Sequence, residues 1–356
     1  MISHSAFLEI NLKNIIFNYK YLSSLYSFQK TGATIKANAY GLGDREIIKI
    51  LFNNGCKHFF VATMDEAKKI RKNFNYGYIY VLNGINKNEF NFNLVKNKII
   101  PIINTIKNYN EIKKYKKKID IGIHIDTGIN RLGIPLNDLN KFKYHKNINI
   151  ILILSHLASA DQKKNHYNNK QLIVFNKLTK KYFKPCLKSL SNSGGMVLGK
   201  NFQFDIARPG IALYGGHNNT SLKHKIKPVI KLKAKILQIK KINKNEYIGY
   251  NQTFRTKKKM TIAIIGIGYA DGILRKLSNI GYVYYKNYKF KIIGRISMDT
   301  ITVDISNKAK ILKAGLFIDI INYEHDIEKI AKSCGTISNE ILTSFTSNRI
   351  KKIYKN

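Results

Sequence analysis

The sequence predicts an α/β protein: a (β/α)8 TIM barrel over residues 1–220, then a mainly antiparallel β domain over residues 221–356. Three observations predict it. The chain has 356 residues, more than one ordinary core holds. Up to about residue 215, short apolar runs alternate with amphipathic stretches of helical period. After about residue 220 the apolar period changes to two.

The barrel elements read in order. Gly32–Lys36 is a buried strand, followed by Gly41, Gly43 and the N-cap candidate Asp44. Ile47, Ile48, Leu51 and Phe52 form one helical face that stops near Gly55. His58–Ala62 is the next strand and Asp65–Lys72 the next helix. Gly77–Leu82, Ile99–Asn104, Ile119–Asp126 and Ile148–His156 continue the strands, with helical stretches at Asn108–Lys118 and Asn165–Phe183. Leu187–Ser191 and Ile211–Tyr214 complete roughly eight strand–helix units.

In the second half, Lys231, Lys233 and Lys235 alternate with Leu232, Ala234 and Ile236. Thr261–Gly266, Gly281–Tyr285, Lys289–Ile293 and Thr300–Ile305 read as strands, with a hairpin turn at Lys286-Asn287. A helix falls around Ser338–Phe345. The Lys-rich stretch His217–Lys227 marks the boundary, and the first ~10 residues are expected to pair with the C-terminal domain.

Composition narrows the function class. The formal net charge is +41, from 62 Lys+Arg against 21 Asp+Glu. Alone, that balance suggests nucleic acid or an anionic membrane. The excess is mostly Lys, spread evenly and accompanied by Asn and Ile, as AT-rich codon usage produces. No Arg-rich stripe or nucleic-acid motif appears, so neither nucleic acid nor membrane is the expected partner. Cys56, Cys186 and Cys334 are far apart and lack metal-ligand spacing, which fits a reducing cytosol and no metal site. The N-terminus lacks a signal-peptide pattern and no apolar run approaches the ~20 residues of a membrane span. A cytoplasmic protein is expected.

The sharpest chemical feature is TIKANAYGLG, Thr34–Gly43. It places Lys36 at the C-terminal end of the first strand, where barrel active sites lie. A lysine there can form a Schiff base with an aldehyde cofactor. In a Lys-rich chain a lone strand-end lysine also fits an ordinary surface residue, so neighbours must decide. The segment Lys36-Ala37-Asn38-Ala39-Tyr40-Gly41 closely resembles the pyridoxal-5′-phosphate (PLP) attachment segment of alanine racemases. IDTGINRLG (125–133), SHLASAD (155–161), NSGG (192–195), ARPGIALYG (207–215), IGYNQTF (248–254), GYADG (268–272), GRISMD (294–299) and EILTS (340–344) follow in family order. The resemblance covers almost the whole chain.

The resemblance implies a PLP-dependent alanine racemase that supplies D-alanine for peptidoglycan by a two-base mechanism. Lys36 would hold PLP and act as one base, and Tyr269 would act as the other on the opposite face of the substrate Cα. An isolated phenol is a weak base at neutral pH and needs a favourable neighbour. His156 matches the residue linking that tyrosine to the arginine beneath the cofactor; alone it would read equally well as a satisfied strand-end histidine. Arg208 matches the arginine facing the pyridine nitrogen. An arginine keeps its proton, so it leaves that nitrogen unprotonated, weakens the ring as an electron sink and disfavours transamination. Phosphate contacts would come from Tyr40, Ser193 and the amides of Gly210 and Ile211. Arg131 would lie near the cofactor's phenolic oxygen and the substrate, with Met298 and Tyr250 at the substrate carboxylate and the pocket entrance. In the family, Tyr269 and Met298 come from a partner subunit, so a homodimer with shared active sites is expected.

Two positions depart from the family pattern. His124 stands where many members carry a carbamylated lysine, and Asn348 stands where a phosphate-binding tyrosine is usual, before Arg349. The alternative is a broader-specificity amino-acid racemase of the same fold. A barrel-type decarboxylase is disfavoured by Arg208, and a non-catalytic PLP-binding protein by the presence of the β domain.

Overall fold

A computed structural model of the chain describes residues 4–26, 30–86, 89, 94, 96–114 and 117–356. The chain divides into two compact units, Ile16–Lys227 and Met1–Ile15 with Pro228–Asn356. Strand β1 (Ala6–Asn11) belongs to the second of these.

The Ile16–Lys227 unit is built on seven parallel strands in sequential order: β2 (Ala33–Thr34), β3 (His58–Val61), β4 (Tyr78–Val81), β5 (Ile99–Ile103), β6 (Ile119–His124), β7 (Ile148–Leu154) and β8 (Leu187–Ser189). Most of their apolar residues are buried, as parallel strands covered on both faces require, with Tyr78 and Leu187 exposed at the strand starts. Helices Asp44–Asn53, Met64–Asn73, Ile106–Ile112 and His166–Tyr182 alternate with them. Phe60, Tyr80, Ile100, Ile102, Leu152, Leu154 and Ile206 form a core cluster, with Phe60 and Tyr80 stacked at 4.6 Å.

The eighth position differs from the expectation. Ile211–Tyr214 is a 3₁₀ turn, not a strand. The ring closes instead through the segment just before it. Thr31 bridges Ala207 in parallel, and Asn192 bridges Arg208. Gly32 N donates to Ala207 O, Ala207 N to Lys30 O, Thr34 N to Pro209 O, and Arg208 N to Ser191 O. Pro209 lacks an N–H, so a regular ladder cannot run through this segment. The periodicity pointed to the apolar residues after the proline, whereas the backbone pairing uses the residues before it. The Asn108–Lys118 helix is also shorter, Ile106–Ile112, and residues 115 and 116 lie outside the described residues.

The other unit is mainly antiparallel. β9 (Ile230–Ile242) is its long central strand, burying Ile230, Leu232, Ala234 and Ile236 while the intervening lysines stay partly exposed. It pairs with β1, with β12 (Met260–Ile265) and with β16 (Phe317–Ile321). β10 (Tyr247–Ile248) pairs with β11 (Phe254–Arg255), β13 (Tyr282–Tyr285) with β14 (Tyr288–Lys291), and β12 with β15 (Ile301–Asp304). The Lys286-Asn287 turn joins β13 to β14 with Tyr285 opposite Tyr288, and Lys286 takes the positive φ of 51° that a two-residue hairpin demands. β1 pairs in parallel with β17 (Ile350–Lys355). The structure adds β16, β17 and helix Ile327–Cys334 to the elements expected from the sequence; Asp326 caps that helix and Gly335, in left-handed backbone, ends it.

Candidate active site

Lys36 directly follows Ile35 at the end of β2, and the four residues after it are strained. Ala37, Asn38, Ala39 and Tyr40 all adopt left-handed backbone, with φ between 52° and 55°. Each L-residue in that region costs about 1–2 kcal/mol, so the turn persists only because its surroundings dictate it. Glu66 Oε1 accepts from Ala37 N at 2.5 Å, and Asn38 Oδ1 accepts from Asp44 N at 2.9 Å. Gly41 N donates to Ala37 O and Gly43 N to Asn38 O. The turn sends the chain away sharply and leaves Lys36 at the strand end. Burial pulls the Lys36 ammonium below its usual range, the Arg131 guanidinium adds to the pull, and the Glu66 carboxylate opposes it. More of the neutral, nucleophilic amine is therefore present at neutral pH than for a solvated lysine.

Arg208 is buried at the closing segment. One Nη donates to Ser189 Oγ and the other to Ser155 O at 2.6 Å. Both acceptors are neutral, and among the described residues Arg208 has no carboxylate in ion-pair reach. Burial lowers its pKa only to about 10, so it stays cationic. Next to it, Gln171 braces the loop after β7. Its Nε2 donates to His156 O at 2.9 Å and to Thr127 Oγ1 at 3.1 Å, and its Oε1 accepts from Ala158 N. Burial, then the charges of Arg208, Arg131, His124 and Lys36 in turn, push His156 well below the usual imidazole range.

His124 ends β6 and is buried. Its Nδ1 lies 2.9 Å from Asn104 Oδ1. Its Nε2 is buried without a partner among the described residues. Burial, Arg208 and Arg131 pull its pKa down to about 3. Arg131 itself is exposed, on a loop closed by the Ile125–Ile134 bridge. Asp126 shapes that loop by accepting from Gly128 N at 2.9 Å and Asn130 N at 3.2 Å.

The expected phosphate ligands converge. Ser193 Oγ accepts from Gly210 N at 3.0 Å and Ala212 N at 3.3 Å. A Cβ on Gly210 would stand 2.3 Å from Tyr40 Oη, so the tyrosine reaches this backbone only because position 210 has no side chain. Tyr40 is buried and packs on Tyr214 at 4.9 Å, and Tyr214 donates to Thr34 O.

Lys36, His124, Arg131, His156, Ser193, Arg208, Gly210 and Ile211 thus follow the carboxyl ends of strands or the closing segment of one barrel. The charged side chains among them, Lys36, Arg131 and Arg208, are all cations. Such a mouth suits an anionic ligand.

Tyr250, Tyr269 and Met298 belong to the other unit, with exposures of 65%, 43% and 52%. Tyr269 and Met298 are neighbours: Tyr269 N donates to Ser297 O and Ala270 N to Met298 O, both at 3.0 Å. Tyr250 lies in the tight link between β10 and β11.

Two site residues escaped the sequence reading. Glu66 was visible as the fourth residue of a Thr63-x-x-Glu66 capping box, which the structure forms. The bond it accepts from Ala37 N joins residues 29 positions apart and has no local signal. Asn104 directly follows β5, a position where barrel function concentrates, and that placement could have singled it out.

Comparison with known proteins bears on the family of the chain. The family model described as the N-terminal domain of alanine racemase matches residues 10–218, and that of the C-terminal domain matches residues 229–354. The chain is 38% identical to an alanine racemase of Rickettsia akari (strain Hartford) over 357 residues, covering 98% of both chains. It is 34% identical to that of Brucella abortus (strain 2308), covering 98% of this chain and 93% of the relative. The crystal structure of alanine racemase from Bartonella henselae with covalently bound pyridoxal phosphate superposes with a TM-score of 0.94 at 36% identity, covering 99% of this chain and all (100%) of the other. With both family domains matched in order and full-length relatives well above 30% identity, the chain belongs to the alanine racemase family.

Proposed function

We propose that this protein interconverts L- and D-alanine, using PLP held covalently by Lys36, with Lys36 and Tyr269 as the two proton-carrying groups. The observation that carries the reading is the pairing, at one barrel mouth, of a lysine held below its normal pKa with a buried arginine that has no carboxylate in ion-pair reach among the described residues. PLP fits this site. Ser193, Tyr40 and the Gly210–Ile211 backbone gather hydroxyls and amides that suit a phosphate dianion, and a Cβ at position 210 would drive Tyr40 out of this group. Arg208 is a buried cation with only neutral partners, and an electron-rich ring nitrogen would give it a complement.

When bound, PLP withdraws electrons from the substrate Cα and acidifies its hydrogen. The chain's own residues then do the rest. The Lys36 amine, freed once the substrate amine takes its place on the cofactor, would accept or return a proton at Cα from its side. The Tyr269 hydroxyl does so from the other side. Arg208, which stays cationic, would donate to the ring nitrogen without yielding its proton and so would favour return of the proton to Cα. Arg131 and Met298 would meet the substrate carboxylate, and Tyr250 would line the entrance.

The reading includes a cytoplasmic homodimer in which a second copy supplies Tyr269 and Met298. The support is that Tyr269 and Met298, on loops hydrogen-bonded to each other, stand exposed on the β unit, as does Tyr250, where a monomer gains nothing from them. Among the described residues no helix is long and apolar enough to cross a membrane.

The test is borohydride reduction of the PLP-loaded protein, peptide mapping, and an assay for D-alanine formed from L-alanine, with D-serine and D-lysine formation as comparison. Label on Lys36, loss of that label in Lys36→Ala, and a preference for alanine are expected. Label on another lysine, or no D-alanine, overturns the proposal.

A further inference from the structure

Arg349 sits where the two loops carrying Tyr269 and Met298 meet the end of the chain. The 268–272 loop is a 3₁₀ turn that Asp271 closes, with its Oδ2 accepting from Gly268 N at 3.1 Å. The backbone leaves this loop little freedom. A Cβ on Gly268 would lie 2.2 Å from Met298 O, and one on Gly272, at φ 94°, would lie 2.4 Å from Ser344 O. Asp271 is 2% exposed. Its Oδ1 meets Arg349 Nε at 3.2 Å and Ser347 Oγ at 3.4 Å. Arg349 Nη1 also donates to Asp299 Oδ1 at 2.6 Å, and Asp299 directly follows Met298. The arginine is itself anchored. Its amide donates to Ser347 Oγ, and Ile350 begins β17, opposite Ala6 of β1.

We propose that Arg349 is a positioning residue for Tyr269: by bridging Asp271 and Asp299, it clamps the tyrosine loop and the methionine loop together and ties both to the central sheet. Asp299 is 57% exposed and Arg349 47%, so the outer arm adds little to stability. Its consequence is geometric. The planar guanidinium engages two carboxylates through two nitrogens held in a fixed geometry, whereas an ammonium would have to reach both from a single nitrogen at the end of a flexible stem. Asp271 is the more demanding partner, because a buried carboxylate that loses its cation shifts its surroundings. Tyr269 lies two residues from one arm and Met298 one residue from the other.

The inference rests on reading Tyr269 as a proton-carrying group, and the experiment separates the two. Cα hydrogen–deuterium exchange in D₂O is followed from each alanine enantiomer for the PLP-loaded wild type, Tyr269→Phe, Arg349→Met, Arg349→Lys, Asp299→Asn and the Arg349→Met/Asp299→Asn pair. Tyr269→Phe identifies the enantiomer whose exchange depends on the tyrosine. Arg349→Met is expected to slow that exchange roughly 10-fold, to leave the other within about 2-fold, and to keep the PLP absorbance of the wild type. Arg349→Lys is expected to recover little, and the pair to be no slower than Arg349→Met alone, as residues acting through one contact require. Amide exchange of the 266–273 and 296–300 segments, measured without substrate, is expected to quicken in Arg349→Met. Equal slowing of both enantiomers, no slowing, or full recovery by lysine overturns the clamp. If Arg349→Met does not fold, Asp299→Asn decides by the same ratio. If Tyr269→Phe leaves both exchanges alike, the reading of Tyr269 falls, and the role of Arg349 falls with it.

Discussion

Asn104 determines which nitrogen of His124 carries the proton. The Asn104 amide nitrogen is committed to Leu82 O at 2.9 Å and Ile102 O at 3.1 Å, which fixes the side-chain oxygen as the atom 2.9 Å from His124 Nδ1. That oxygen can only accept, so Nδ1 is the donor and the neutral ring presents a bare lone pair at Nε2. The pair is buried and unmatched among the described residues. A cation at the barrel mouth is its natural complement.

Burial of this neutral ring makes the barrel acid-sensitive. His124 has a pKa of about 3 folded against 6.5 for a solvated imidazole. Between these values the unfolded chain binds a proton that the folded chain does not. Stability is therefore full above about pH 6.5 and falls as pH drops toward 3, by up to about 1.4 kcal/mol per pH unit for this residue. His58, pulled down to about 4 chiefly by burial, acts in the same direction. Urea midpoints between pH 7 and 4 are expected to fall steeply in the wild type and less steeply, by up to one proton, in His124→Asn. Equal slopes would show that His124 is not buried neutral.

Activity is expected to be independent of dissolved carbon dioxide. A lysine at this position can form a carbamate, but an imidazole holds no stable one. Here Nε2 offers a neutral acceptor on a ring that feels the Arg131 charge, while Asp126 is occupied by its own loop. Assays in degassed buffer with and without added bicarbonate are expected to agree. Recovery of activity on adding bicarbonate would point to a carbamylated lysine elsewhere in the site.

Gly210→Ala is expected to weaken PLP binding while leaving the barrel folded. The new methyl would stand 2.3 Å from Tyr40 Oη, and the tyrosine must move out of the phosphate site to relieve it. Cofactor titration followed by absorbance should show roughly 10-fold or greater loss of affinity, the effect of about 1.4 kcal/mol. Circular dichroism should match the wild type. Unchanged affinity would remove Tyr40 and Gly210 from the phosphate site.

Tyr269→Phe is expected to slow net racemisation by about 10²–10⁴-fold, the usual contribution of a positioned acid–base group, with PLP binding nearly unchanged. The phenyl ring keeps the packing and loses the exchangeable proton. The check is racemisation rate against PLP affinity in the same preparation. Near-normal racemisation would exclude the hydroxyl as a proton carrier.

The sequence alone determined the alternation of strands and helices as far as β8, the switch to period two in β9, and the residue types at the barrel mouth. These are local properties: a buried strand needs an apolar run, an exposed strand face needs alternation, and a strand-end lysine stands out by position. Only the tertiary structure decided which segment closes the ring. Ile206–Pro209 has no strand periodicity and is selected by hydrogen bonds to Lys30, Gly32, Thr34, Lys188 and Ser191, which lie far away in sequence. The same holds for the tautomer of His124, set by Asn104 across neighbouring strands, for the left-handed turn after Lys36, held by Glu66 from the next unit of the barrel, and for the double contact of Arg349. Each depends on a directional contact between groups distant along the chain. Periodicity is blind to such contacts, because it reports which face of an element is buried and not which atoms meet there.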